Sequence, residues 1–252
     1  MSRGRKYRRP PVVEALCELF LIGSTWDDTV LGSFYDKIKD QFPRKRQLQI
    51  YEAKVEFAGA GGTAAGVRQK QPRMQFLTES GDRLVQVAEN LLVVNQLVPY
   101  PNFEKWEPLI YSMLSIYCEL ANPKAISRVG LRYINRVVIP QPAIHMEDYF
   151  TVYPQLPKGM GDVHGAFMVH VELPFVEKDH VVLVTFGTTP TQKEQEIAYL
   201  LDLYDTTPMS NTTLSVEQLA AHVKIAHENI ETAFEGSITD RLREVFEPED
   251  NE

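Results

Sequence analysis

AISRVGLRYINRVVI, residues 125–139, is the stretch from which the fold can be read. Side chains on a β-strand alternate between two faces. Val129, Leu131, Tyr133, Val137 and Ile139 share one face, which is apolar apart from Asn135. Arg128, Arg132 and Arg136 share the other. A long strand with one apolar face needs a layer to cover that face, and the arginine face is left for something else. At the strand rise of about 3.3 Å per residue the arginines stand roughly 13 Å apart. Three guanidiniums in a row can clamp carboxylates or phosphates. They can equally form an ion-pair lattice with acids on neighbouring strands, for which Glu172 and Asp202 are candidates.

Upstream, Val12 to Ile22 is apolar and β-prone behind Pro10 and Pro11. Thr25 or Asp27 can cap a helix with Leu31, Phe34, Tyr35, Ile38 and Phe42 on one side, stopped by Pro43. Residues 47–58 alternate as a half-buried strand, and Gly59 to Gly66 reads as a flexible loop. Strands are expected at 73–77, 83–88 and 91–98, then a helix at 103–120 with Phe103, Trp106, Ile110, Met113, Leu114 and Tyr117 in its stripe and Pro108 near its first turn. Downstream, a proline-rich excursion over 140–165 holds one short helix near 146–150, and strands follow at 166–175, 180–187 and 195–204. Ser215 with Gln218 forms a capping box for a long helix that carries Leu219, Val223, Ala226 and Ile230, with Gly236 at its C′ position. A short amphipathic helix with Ile238, Leu242 and Val245 follows.

This order predicts an α+β fold: curved antiparallel sheets packed by long helices, arranged as two similar β-α-β(3-4)-α halves over 10–122 and 123–246. No residue-level repeat connects the halves. A basic arm (1–9), expected to be disordered, and an acidic tail (247–252) flank them.

The chain has 252 residues, is 44% hydrophobic and 24% charged, and carries a net charge of −8, which excludes collagenous, disulfide-scaffold and disordered classes. A net acidic chain does not present the broad basic surface that nonspecific nucleic-acid binding needs. The arm, with Arg3, Arg5, Lys6, Arg8 and Arg9, is a local exception. Cys17 and Cys118 sit in apolar patterns and read as small buried hydrophobes. With no signal-peptide core and no membrane-length apolar run, a cytoplasmic location is expected.

No catalytic constellation is complete. Glu52 and Lys54 make half of a metal-dependent nuclease signature, but Asp36 and Asp40 fall in a helix pattern and cannot supply the missing acid. The Gly59–Gly66 run lacks the Lys-Ser/Thr of a phosphate loop. His222 and His227, five apart, point from different helix faces, and His227 reads as a packed core residue. His164, His170 and His180 lie near one another only in sequence, and no serine elbow occurs. No metal or cofactor is implied.

PPVVEALCEL (10–19), FYDKIKDQFP (34–43), VGLRYINRVVIP (129–140) and AHENIETAFEGSITDRLREVF (226–246) together resemble an uncharacterised, sporadically distributed prokaryotic protein family of about this length. The resemblance implies one continuous unit, and it supplies no activity. Its patchy distribution suits defence or toxin–antitoxin contexts. The expected function is therefore non-enzymatic binding. Arg128, Arg132 and Arg136 would contact an anionic ligand or a partner protein, and open sheet edges make a protein partner or homodimer plausible. The alternatives are a nucleic-acid-associated defence or toxin–antitoxin component docking through the arm and the arginine face, and a metal-dependent hydrolase or nuclease using Glu52 and one of the histidines.

Overall fold

The computed structural model describes residues 5–49, 51–58, 62–69, 72–155, 157, 165–175, 179–191, 193–209 and 216–249; at 28, 51–58, 62–69 and 216 only the backbone element is described. Strand β1 (Val12–Ile22) is followed by α1 (Asp28–Ile38), β2 (Arg44–Leu48), β3 (Tyr51–Ala58), β4 (Gly62–Gln69), β5 (Arg73–Leu77), β6 (Arg83–Ala88), β7 (Leu91–Leu97) and α2 (Phe103–Ala121). Then come β8 (Ala125–Ile139), a 3₁₀ turn (Met146–Asp148), β9 (Met168–Phe175), β10 (His180–Thr188), β11 (Ile197–Pro208), α3 (Val216–Ser237) and α4 (Asp240–Val245).

Nine strands form a single antiparallel sheet in the order β2-β5-β6-β7-β1-β8-β11-β10-β9, and β3 and β4 form a separate hairpin. β1 and β8 pair directly over most of their length and join the strands on either side of them into this one large sheet. The decisive strand sits at the centre of that sheet, bonded on one side to β1 and on the other to β11.

One face of the sheet is the core side. Leu131 and Val137 of β8, Ala15 and Leu19 of β1, Val94 of β7 and Leu203 of β11 are buried there with Phe34 of α1, Trp106 and Ile110 of α2, and Val223 of α3. Asn135, the polar exception on the apolar face, is 1% exposed and donates to the Leu201 carbonyl, so its burial is compensated. Local chemistry agrees with the helix positions. Asp27 accepts from the Thr29 amide and Asn102 from the Lys105 amide, each capping its helix. Among the described residues no helix is long and apolar enough to cross a membrane.

Several boundaries differ from expectation. The strand expected over 47–58 divides into β2, which joins the main sheet beside β5, and β3. The segment RKRQL is exposed throughout, and an edge strand with three cations carries no apolar alternation to announce it. The expected loop at Gly59–Gly66 is largely strand, since β4 begins at Gly62; 59–61 lie outside the described residues. Helix α1 ends at Ile38, yet Phe42 beyond it is still buried. Gly236 does not end α3 in a left-handed turn. The helix continues to Ser237, whose hydroxyl donates to the Ala233 carbonyl. Ser215 of the expected capping box lies outside the described residues.

Candidate binding face

The sheet face opposite the core carries the even residues of β8. Around them lie Glu14, Leu16, Glu18 and Phe20 of β1, Val93 and Asn95 of β7, and Asp202 and Tyr204 of β11. A small apolar cluster of Leu16, Ala88, Leu91 and Val93, with Phe20 against it, anchors this face. Beside it a chain of side-chain hydrogen bonds crosses five strands. Arg46 donates to Gln75, Gln75 to Gln86, Gln86 to Asn95, and Asn95 to Glu14. Gln75, Gln86 and Asn95 are buried, so this ladder is how the strands' polar side chains are satisfied.

The three arginines have three different environments. Arg128 is exposed, and its guanidinium lies 3.8 Å from the centre of the Phe20 ring, which holds it without neutralising it. Arg132 makes a two-point contact with Asp202, with Nε 2.8 Å from Oδ1 and Nη2 on Oδ2. That hydrogen bonding keeps its pKa above the ordinary arginine value despite partial burial. Arg136 donates from Nη2 to the Pro190 carbonyl at 3.0 Å. Among the described residues, the lattice expectation therefore holds for the middle arginine alone. Glu172, the other candidate acid, stands on β9 at the sheet edge, 4.0 Å from His170.

Gly130 shapes the same face. A Cβ there would come within 2.6 Å of Tyr204 Cε2 and 2.8 Å of Cζ, and closer still to the hydroxyl, so the ring lies directly over the glycine. Burial pushes the Tyr204 phenol up to about 12. Gly130→Ala is expected to cost 1–3 kcal/mol in urea unfolding, roughly the penalty of overpacking. In a Tyr204→Ala background most of that cost should vanish, which a double-mutant cycle measures.

The basic arm is not free where it is described. Arg8 and Arg9 donate backbone amides to the Glu247 and Phe246 carbonyls, and the Glu249 amide donates to the Lys6 carbonyl. Tyr7 packs edge-on against Phe234 and Phe246 and donates to Glu235 at 2.7 Å. Arg5 lies 4.0 Å from Asp240, and Arg9 lies 3.4 Å from Glu247. Residues 6–9 thus run along the start of the acidic tail, correcting the expectation of disorder for that part; Arg3 lies outside the described residues. Opposite charges at the two ends of the chain, joined by an aromatic staple, account for the pairing.

Sequence reasoning missed a buried polar cluster on the core side. His180 at the start of β10 and Asp205 of β11 are each 1% exposed, with Nδ1 and Oδ1 2.6 Å apart. Asn229 of α3 donates to the other Asp205 oxygen at 2.8 Å. His222, two turns earlier on α3, places Nδ1 3.4 Å from His180 Nε2. The available signal was Asp205 itself, which continues the apolar face of Tyr199, Leu201 and Leu203. His227 stacks on Phe103 at 3.9 Å, on a different side of α3 from His222. His164 and the Glu52 side chain lie outside the described residues, among which no group of three or more ligands could hold a metal ion.

Burial and the adjacent His180 lower the His222 pKa. The folded protein therefore disfavours its protonated form, and the unfolded chain takes the proton first as the pH falls. Stability contributed by neutral His222 is complete above the ordinary histidine pKa of about 6.5 and is lost below it. Between pH 7.5 and 5.5, the urea midpoint of the wild type should fall further than that of His222→Gln. Parallel falls would contradict this.

A scan against protein-family models and a search of curated proteins both return no match.

Proposed function

We propose that this chain is a non-enzymatic cytoplasmic binding protein whose arginine-bearing sheet face holds an extended acidic segment of a partner protein. The observation that carries this reading is the state of the two outer arginines. Among the described residues neither Arg128 nor Arg136 is paired with a carboxylate, and each is held in place, by the Phe20 ring and by the Pro190 carbonyl. The middle guanidinium is already matched by Asp202. The outer two lie eight positions apart on the strand, roughly 26 Å. A single phosphate or carboxylate cannot bridge that gap, whereas an extended chain with acids near both ends can. The acidic surroundings, which give the chain its net charge of −8, restrict an anionic partner to these few contacts and disfavour a polyanion spread over the surface.

We further read the two flanks of the central pair as related halves over 10–122 and 123–246. Outward from β1 run β7, β6 and β5, and outward from β8 run β11, β10 and β9. Helices α2 and α3 follow β7 and β11 in the chain. In this reading the binding face lies along the seam between the halves.

The experiment is fluorescence anisotropy with a labelled acidic dodecapeptide, an acidic tetrapeptide and duplex DNA as probes. The dodecapeptide should bind and the tetrapeptide bind weakly. Binding that favours the DNA would replace this reading with a nucleic-acid-associated one.

A further inference from the structure

The two edges of the nine-stranded sheet are built differently. At one end, β2 presents Arg44, Lys45 and Arg46, all exposed. Pairing that edge with a copy of itself would set cations against cations, a common way of keeping an edge strand single. At the other end, β9 reads MVHVELPF and, among the described residues, is bonded only to β10. Three of the large hydrophobic side chains exposed among the described residues belong to it: Met168 at 74%, Val171 at 39% and Leu173 at 41%. Val171 and Leu173 lie opposite Val184 and Val182 of β10, so they prolong the core-side face beyond the last covered strand. An exposed apolar edge with no row of like charges is a pairing surface.

We propose that β9 pairs antiparallel with β9 of a second copy of this chain, about a two-fold axis through Val171. This register is selected by charge and by facing. Centred on Val171, it sets Val169 opposite Leu173 and His170 opposite Glu172, with the reciprocal pair generated by symmetry. A shift to Glu172 as centre would set glutamate against glutamate. A one-residue slip would bring core-side residues of one copy against open-side residues of the other. His170 and Glu172 are 48% and 68% exposed in the single chain and lie on the open side, where His170 hydrogen-bonds Thr185 through Nδ1 and keeps Nε2 for a carboxylate. An imidazole offers an N–H to a carboxylate in either protonation state. Val169, Val171 and Leu173 of the two copies meet on the core side and close the overhang. Pro174, which has no N–H to donate, stands near the end of the added ladder. The product is a continuous sheet with β2 at both outer edges, which its cations keep from growing further.

Sedimentation equilibrium of the full chain tests this. The wild type should sediment at twice the monomer mass at micromolar concentration. Val171→Lys, which sets lysine against lysine on the axis, should sediment as a monomer. His170→Glu should weaken association about tenfold, and adding Glu172→His should restore it, since the exchanged pair regains opposite partners. All these side chains are exposed, so the circular dichroism spectrum should stay unchanged and separate dissociation from misfolding. A monomeric wild type would overturn the proposal, as would a dimer indifferent to Val171→Lys. Open-ended growth beyond the dimer would show β9 pairing with β2 instead, and would overturn it too.

Discussion

Replacing His180 by alanine is expected to lower stability by about 3 kcal/mol, the upper end of the cost of leaving a buried polar group without its hydrogen-bond partner. Asp205 would remain 1% exposed with Asn229 as its remaining side-chain donor, and half of its carboxylate would lose the imidazole 2.6 Å away. Since domains are stable by about 5–15 kcal/mol, this is a large share of the total. The penalty comes from the stranded carboxylate rather than from the lost volume of the imidazole. Removing both partners together, in His180→Leu with Asp205→Leu, should therefore cost less than His180→Ala alone. Urea unfolding of the two variants decides the point. A His180→Ala cost under about 1 kcal/mol would mean that the pair is not energetically coupled.

Trp106 gives the second large effect. It is 1% exposed, with its ring 6.4 Å from that of Phe103 and 6.3 Å from that of Tyr133, so it packs α2 against the central strand. Trp106→Ala should cost about 3–5 kcal/mol through lost burial and the cavity left behind. Trp106→Phe should cost much less. The indole Nε1 is buried without a hydrogen-bond partner, and an unsatisfied donor costs about 1–3 kcal/mol, so phenylalanine relieves one penalty as it introduces another. Equal losses for the two variants would indicate that the indole N–H is satisfied in solution.

The central strand was legible because its alternation is long and broken on the apolar face by Asn135 alone between Val129 and Ile139, and the helix stripes of α2 and α3 because their apolar residues recur at helical spacing. β2 was not legible, because an edge strand whose residues all face solvent has no burial pattern to display. The single sheet was hidden as well. The β1–β8 pairing joins residues more than a hundred positions apart, and alternation says which face is buried without naming the neighbouring strand. Asp202 could be nominated from its face on β11, but whether it paired with Arg128, Arg132 or Arg136 depended on inter-strand register. The His180–Asp205–Asn229 contact needed register and helix placement together, which no local pattern contains.

The most direct test of the binding face is anisotropy titration of the acidic dodecapeptide against the wild type and Arg128→Glu with Arg136→Glu. Both residues lie outside the core, so the double variant should fold with an unchanged melting temperature. The account predicts that its affinity falls more than tenfold, about 1.4 kcal/mol or more. Arg132→Gln should change peptide binding much less, because that guanidinium is already occupied by Asp202. Equal peptide affinity in the wild type and the double variant would contradict the assignment of this face.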